Sequence, residues 1–129
     1  MSHEYILMGN PIPWKRPARA SNHFYDAQKH EKMLIKNEIE MQHDGIRKYE
    51  GPIKFEIVFY FNPPPLSAKN LEKKLKSPHF VRPDIDNLCK WILDAATGIL
   101  FKDDCIISSL HAEKKYDITP RTVFTVTEL

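Results

Sequence analysis

The nine residues from Ile53 to Phe61 set the strongest constraint on how this chain folds. Ile53, Phe55, Ile57, Phe59 and Phe61 alternate with Lys54, Glu56, Val58 and Tyr60. Successive side chains of an extended backbone point to opposite sides, so this pattern is a strand with one apolar face. A second pattern supplies its cover. Leu88, Trp91, Ile92, Ala95, Ala96 and Ile99 recur at intervals of three and four residues, the period of an amphipathic helix.

The other elements follow more loosely. Glu4 to Met8 reads as a first strand, and residues 9–26 as a proline-rich loop carrying Lys15, Arg16 and Arg19. Asp26 is placed to cap a helix over Ala27 to His43, with Leu34, Ile35 and Ile39 on one side and Gly45 at its end. Pro63, Pro64 and Pro65 stop the central strand, because proline cannot donate to a sheet ladder. Leu66 to Phe80 is flanked by prolines and has few apolar positions, which predicts a mobile loop. A helix over Asn87 to Thr97 is expected, capped by Asp86 and ended by Gly98. Ile106 to Tyr116 and Thr122 to Thr127 read as closing strands. This order predicts one α+β domain over residues 1–129, a small mixed β-sheet with helices packed on it.

Composition excludes several classes. Cys89 and Cys105 form no CxxC pair, so neither a zinc site nor a disulfide framework is expected. They read as reduced thiols of a cytoplasmic protein. No apolar run approaches the ~18 residues of a membrane span, and the N-terminus lacks the pattern of a secretion signal. The net charge of +2 conceals a segregation. From Lys69 to Arg82 there are five basic residues, Lys69, Lys73, Lys74, Lys76 and Arg82, against the single acid Glu72. From Asp84 to Asp104 there are five aspartates against Lys90 and Lys102.

Carboxylates are costly beside apolar segments unless something satisfies them. Asp84 and Asp86, two apart in an extended stretch, point the same way just before the helix. Converging carboxylates repel unless a positive charge lies between them, and a divalent cation with oxygen ligands answers that need. A chain doubling back after Gly98 brings Asp103 or Asp104 to join them. Lys90, one turn past Asp86, is suited to phosphate or to an acid partner, with Asp94 preferred as its ion-pair partner. An EF-hand is excluded, because Leu88 and Cys89 occupy its fifth and sixth places. No glycine-rich phosphate loop is present, which disfavours an NTPase. Taken singly, each acid is explained as a cap, a turn or a surface loop. Acids, lysine and an adjacent basic stretch together point to phosphoryl chemistry on a polyanion.

The segment RPDIDNLCKWILDAATGILFKDDCII resembles the core of the RusA-type Holliday junction resolvases, with the D-x-D-N-L-x-K run, the helix D-A, the glycine and the later D-D in order and spacing. That resemblance implies an α+β homodimer that uses Mg²⁺, or Mn²⁺, to cut four-way DNA junctions by paired symmetric nicks. It implies Asp84, Asp86 and Asp104 as metal ligands and Lys90 as a catalytic lysine. Lys69, Lys73, Lys74, Lys76, Arg82, Lys15 and Arg16 are expected to contact DNA, Arg82 less firmly because Pro83 separates it from Asp84. A branched-DNA-binding protein without catalysis and a flap nuclease are the competing readings.

Three further residues invite attention. Lys114 shares parity with Ile106, Leu110 and Ala112, but about 33 Å of strand per ten residues carries it away from Asp104, so it stays outside the catalytic set. Trp14 and Tyr25 flank the first basic loop and read as loop anchors ahead of base-stacking platforms. His79 is the one histidine placed in a basic stretch next to the acids.

Overall fold

A computed structural model describes residues 2–15, 18–20, 23–25 and 28–129 of the chain. Its elements are β1 (Ser2–Met8), β2 (Ala18–Ala20), β3 (His23–Tyr25), α1 (Lys29–Gln42), β4 (Ile53–Phe61), α2 (Ala68–Lys74), α3 (Ile85–Ala96), a 3-10 turn (Asp104–Ile106), β5 (Ile107–Tyr116) and β6 (Arg121–Glu128). Four strands form one mixed sheet in the order β1-β6-β4-β5. β6 is antiparallel to both β1 and β4, whereas β4 and β5 run parallel. β2 and β3 pair separately as a small antiparallel hairpin. The architecture is α+β, as the pattern predicts.

The alternation in β4 is realised residue by residue. Ile53, Phe55, Ile57 and Phe59 are buried, while the intervening side chains are half-exposed. Lys54 pairs with Glu56 at 3.0 Å on that open face, and the Arg121 guanidinium lies 4.0 Å from the Tyr60 ring centre. On the inner face the aromatic rings run across the strands. Tyr5 stacks on Phe124 at 4.8 Å and Phe124 on Phe55 at 5.2 Å, and Phe101 meets Phe55 edge-on. Such contacts add to the area term that dominates the core. Leu88, Trp91, Ile92, Ala95 and Ala96 of α3 close the layer.

A buried polar cluster lies at the end of α1. The Tyr5 hydroxyl is 2.7 Å from His43 Nδ1 and 3.3 Å from the Tyr49 hydroxyl, and His43 Nε2 lies 3.1 Å from the Arg47 carbonyl. A ring nitrogen facing a carbonyl must donate, so Nε2 carries the proton and Nδ1 accepts from Tyr5. At the outer edge of β1, the Gln42 amide accepts from Ile6 N at 2.8 Å and donates to Ile6 O at 2.7 Å, as a neighbouring strand would.

Several sequence expectations change. α1 starts at Lys29, and the residue before it, Gln28, makes no side-chain cap bond; the expected cap, Asp26, lies outside the described residues. Ile39 is buried and Ile35 half-buried, but Leu34 is exposed, because it lies off the stripe that faces the sheet. The stretch Leu66 to Phe80 is not simply a loop. It holds α2, capped by Ser67, whose hydroxyl accepts from Asn70 N. That helix buries no residue, so it left no apolar periodicity to read. α3 begins at Ile85, so Asp84 occupies the cap position and Asp86 lies inside the first turn. Gly45 and Gly98 end their helices with φ of +73° and +89°, a region glycine enters without steric cost. No helix among the described residues is long and apolar enough to cross a membrane.

Candidate active site

The candidate site lies where the first turn of α3 meets the outward half of β5. Leu110, Ala112 and Lys114 alternate along β5 and line it from the sheet side. The α3 residues Ile85 and Asp86 stand over them and divide the cleft into two adjoining grooves. One groove, about 620 Å³, has Asp84, Asp86, His79 and Lys114 in its lining. The other, about 480 Å³, has Asp86, Asp104, Lys90 and Asp94. Asp86 therefore serves both, with Asp84 on one side and Asp104 on the other.

Local chemistry fixes each acid. Asp84 has extended backbone angles and its carbonyl accepts from Leu88 N at 3.2 Å, which starts the helix. Asp86 Oδ1 accepts from Asn87 N at 2.9 Å. Both sit at the positive end of the helix dipole, which favours negative charge. Asp103 and Asp104 separate in role. Asp103 caps the 3-10 turn by accepting from Cys105 N at 2.9 Å, a bond that holds its carboxyl below the usual range. Asp104 lines the groove with Asp86. None of Asp84, Asp86 and Asp104 makes an ion pair among the described residues. All three are exposed.

These carboxylates are hard oxygen donors, the ligand type that suits Mg²⁺ and Mn²⁺. They do not gather into the three-acid cluster that the sequence suggested. Among the described residues, no three aspartate, glutamate, histidine or cysteine side chains stand close enough together to hold an ion. Asp84 is extended and Asp86 helical, so the two are not the plain extended pair that the sequence suggested. Both thiols are held toward the protonated form. Burial, reinforced by the charge of Asp86, pushes the Cys89 thiol up to about 11, and Asp103 raises that of Cys105.

Lys90 is exposed and its ammonium sits 4.5 Å over the Trp14 ring. It makes no ion pair with Asp94, the partner its sequence position suggests. Trp14 is an anchor, half-buried against the core with its backbone N–H donating to the Asn87 carbonyl at 2.9 Å. Asp94 instead lies near Lys36, whose ammonium donates to the carbonyls of Asp94, Ala95 and Thr97 at 3.3, 3.2 and 3.0 Å.

Of the expected DNA contacts, Lys69, Lys73, Lys76, Arg82 and Lys15 are exposed. Lys74 is half-buried, its ammonium 4.7 Å from the Tyr116 ring and 5.7 Å from the Phe80 ring. Arg16 lies outside the described residues, as does the Tyr25 side chain. His79 is buried, stacked on Phe61 at 4.0 Å, with Nδ1 lacking a hydrogen-bond partner among the described residues. Burial and the neighbouring Lys114 charge lower its pKa.

Lys114 is the residue that strand length alone placed elsewhere. Its strand does carry it past Asp104, but to the loop that precedes Asp84. Its ammonium donates to the carbonyls of Val81 at 2.6 Å and Pro83 at 2.7 Å. A lysine on the apolar parity of a strand was the available signal.

Comparison with known proteins bears on the family of the chain. The model of the family described as Endodeoxyribonuclease RusA matches residues 9–127. The protein named Uncharacterized protein YqaN, from Bacillus subtilis strain 168, is 29% identical over 85 residues, which are 61% of this chain and 59% of that protein. The chain thus spans about three fifths of the length of this curated relative.

Proposed function

We propose, from the premise that this chain belongs to the RusA endodeoxyribonuclease family, that it is a metal-dependent endonuclease resolving four-way and related branched DNA in recombination and repair. Residues 1–129 act in this reading as one endonuclease domain, and two copies form a homodimer whose paired sites make symmetric nicks. The observation that carries it is the position of Asp86. It is common to two grooves, with Asp84 and Asp104 to either side and Lys90 one turn along the helix.

Asp84, Asp86 and Asp104 would hold Mg²⁺, or Mn²⁺, by drawing in around the ion from the two grooves they line, and their lack of ion-pair partners among the described residues supports that role. Such a cation supplies Lewis acidity that activates water and stabilises the leaving oxygen. Lys90, an exposed cation in the Asp104 groove, stabilises charge on the scissile phosphate. Lys69, Lys73, Lys76, Arg82 and Lys15, with Lys74 and Arg16, contact the backbone of the arms. Contacts of that kind position nucleic acid without reading sequence.

The test is cleavage of a labelled four-way junction with Mg²⁺ or EDTA, by wild type and Asp86→Asn. Paired nicks that disappear with EDTA and with the substitution support the proposal. Cleavage by Asp86→Asn at the wild-type rate, with normal junction binding, removes the catalytic assignment. A second reading, branched-DNA binding without catalysis, is favoured by the absence of a three-donor cluster among the described residues. It predicts junction binding with no cleavage under any divalent metal.

A further inference from the structure

We infer that Lys114 is a positioning residue for the metal site, acting through the backbone that carries Asp84. The inference rests on the metal-dependent reading above.

The geometry is specific. One ammonium holds two carbonyls, those of Val81 and Pro83, that flank Arg82 in the chain. The Pro83 carbonyl belongs to the peptide unit joining Pro83 to Asp84. Lys114 therefore fixes the peptide plane on the N-terminal side of Asp84. The bond from Leu88 N to the Asp84 carbonyl fixes the plane on the other side. With both planes held, the direction of the Asp84 Cα–Cβ bond is set by Lys114 and α3 together. Arg82, between the two clamped carbonyls, keeps an exposed side chain.

The clamp has a rigid base. Lys114 pairs with Phe59 in the parallel ladder, so its strand is braced by β4, whose inward side chains are buried. On its other side, its carbonyl accepts from His79 N at 3.0 Å, and Tyr116 N donates to the Ser77 carbonyl at 3.1 Å. Residues 77–79 thereby extend the sheet beside β5, and their backbone leads directly into the clamped loop. A charged donor on a pair of carbonyls makes stronger bonds than a neutral donor would. The same charge lies in the groove lined by Asp84 and Asp86, where it opposes their mutual repulsion.

Groups that orient ligands without touching the metal change metal affinity by about 10- to 100-fold when removed. Lys114→Met keeps the length of the stem and deletes the charge and all three donors. Lys114→Arg keeps a charge and its donors. The experiment measures Mn²⁺ binding to the full chain without DNA, by loss of the free Mn²⁺ paramagnetic resonance signal, for wild type, both Lys114 variants and Asp86→Asn. Junction nicking against Mn²⁺ concentration is measured beside it.

The expected result is Mn²⁺ binding at least about tenfold weaker in Lys114→Met and close to wild type in Lys114→Arg. The half-maximal Mn²⁺ concentration for nicking shifts in parallel, and nicking recovers at saturating Mn²⁺. Wild-type affinity in Lys114→Met overturns the inference, and so does equal weakening in both variants, which signals disturbed packing. Where circular dichroism shows Lys114→Met unfolded, Lys114→Gln is read by the same criteria. If Asp86→Asn loses Mn²⁺ binding and the Lys114 variants do not, the clamp alone fails. If Asp86→Asn binds Mn²⁺ as wild type does, the metal-site reading fails and the clamp with it.

Discussion

Lys36→Met tests how α3 is held in place. Backbone donors past the end of that helix satisfy some of its last carbonyls. Thr97 N reaches Leu93 O, and Leu100 N reaches Ala96 O at 2.9 Å. The carbonyls of Asp94, Ala95 and Thr97 are met by Lys36 from α1. A cation there also complements the negative end of the helix dipole. Two effects oppose each other. Burial lowers the pKa of Lys36, so removing its charge from water costs something. Against that, a hydrogen bond to a charged group is worth about 1.5–3 kcal/mol, and a carbonyl left unsatisfied costs about 1–3 kcal/mol. Three bonds of 3.0–3.3 Å at a half-buried helix end, partly replaced by water in the variant, leave a net loss of about 2 kcal/mol. For a chain of this size that lowers Tm by roughly 5–10 °C. Calorimetry on wild type, Lys36→Met and Lys36→Arg checks this, with Lys36→Arg expected near wild type. A Lys36→Met variant as stable as wild type would mean that desolvation cancels the bonds, and the reasoning would be refuted.

Stability also depends on acid. Burial holds the His43 pKa below the ordinary 6.5, so the unfolded chain binds a proton that the native state does not. The contribution of neutral His43 is complete above pH 6.5 and is lost as pH falls from there through the folded value. Urea midpoints between about pH 7.5 and 5.5 should therefore decline, and less steeply in His43→Leu. For DNA, changing Lys69, Lys73 and Lys76 together to glutamine should weaken junction and duplex binding alike. The slope of log K against log salt should flatten by about 0.9 for each phosphate that a lysine no longer neutralises. An unchanged slope would remove α2 and its flank from the interface.

What could be read in advance follows from where the information lies. β4 was legible to the residue because one face is buried and the other is not, and α3 because its apolar stripe is continuous. The acids and Lys90 were legible as a group because all lie on or next to that one helix. α2 was not, because it buries nothing; it is held by the Ser67 cap and by Lys74 against Tyr116. The parallel pairing of β4 with β5 comes from a connection over residues 62–106 and has no local signature. Lys114 was missed because its distance was reckoned to Asp104, whereas the fold brings residues 81–83 to it. The start of α3 was read two residues too late because Asp86 is as suitable a cap residue as Asp84, which holds that position.

The Gln42 amide on the edge of β1 has a consequence for how copies of this chain can add to one another. A sheet with two open edges accepts a neighbour on each side, and growth of that kind has no natural end. Here one edge already hydrogen-bonds the protein's own side chain at Ile6. At the opposite edge, β5 is taken by residues 77–79 only near Lys115, and among the described residues its earlier part pairs with β4 alone. Joining through β5 uses up the available edge of both copies. If copies were to join through β5, addition of that kind would stop at a pair wherever the guarded β1 edge accepts no further strand.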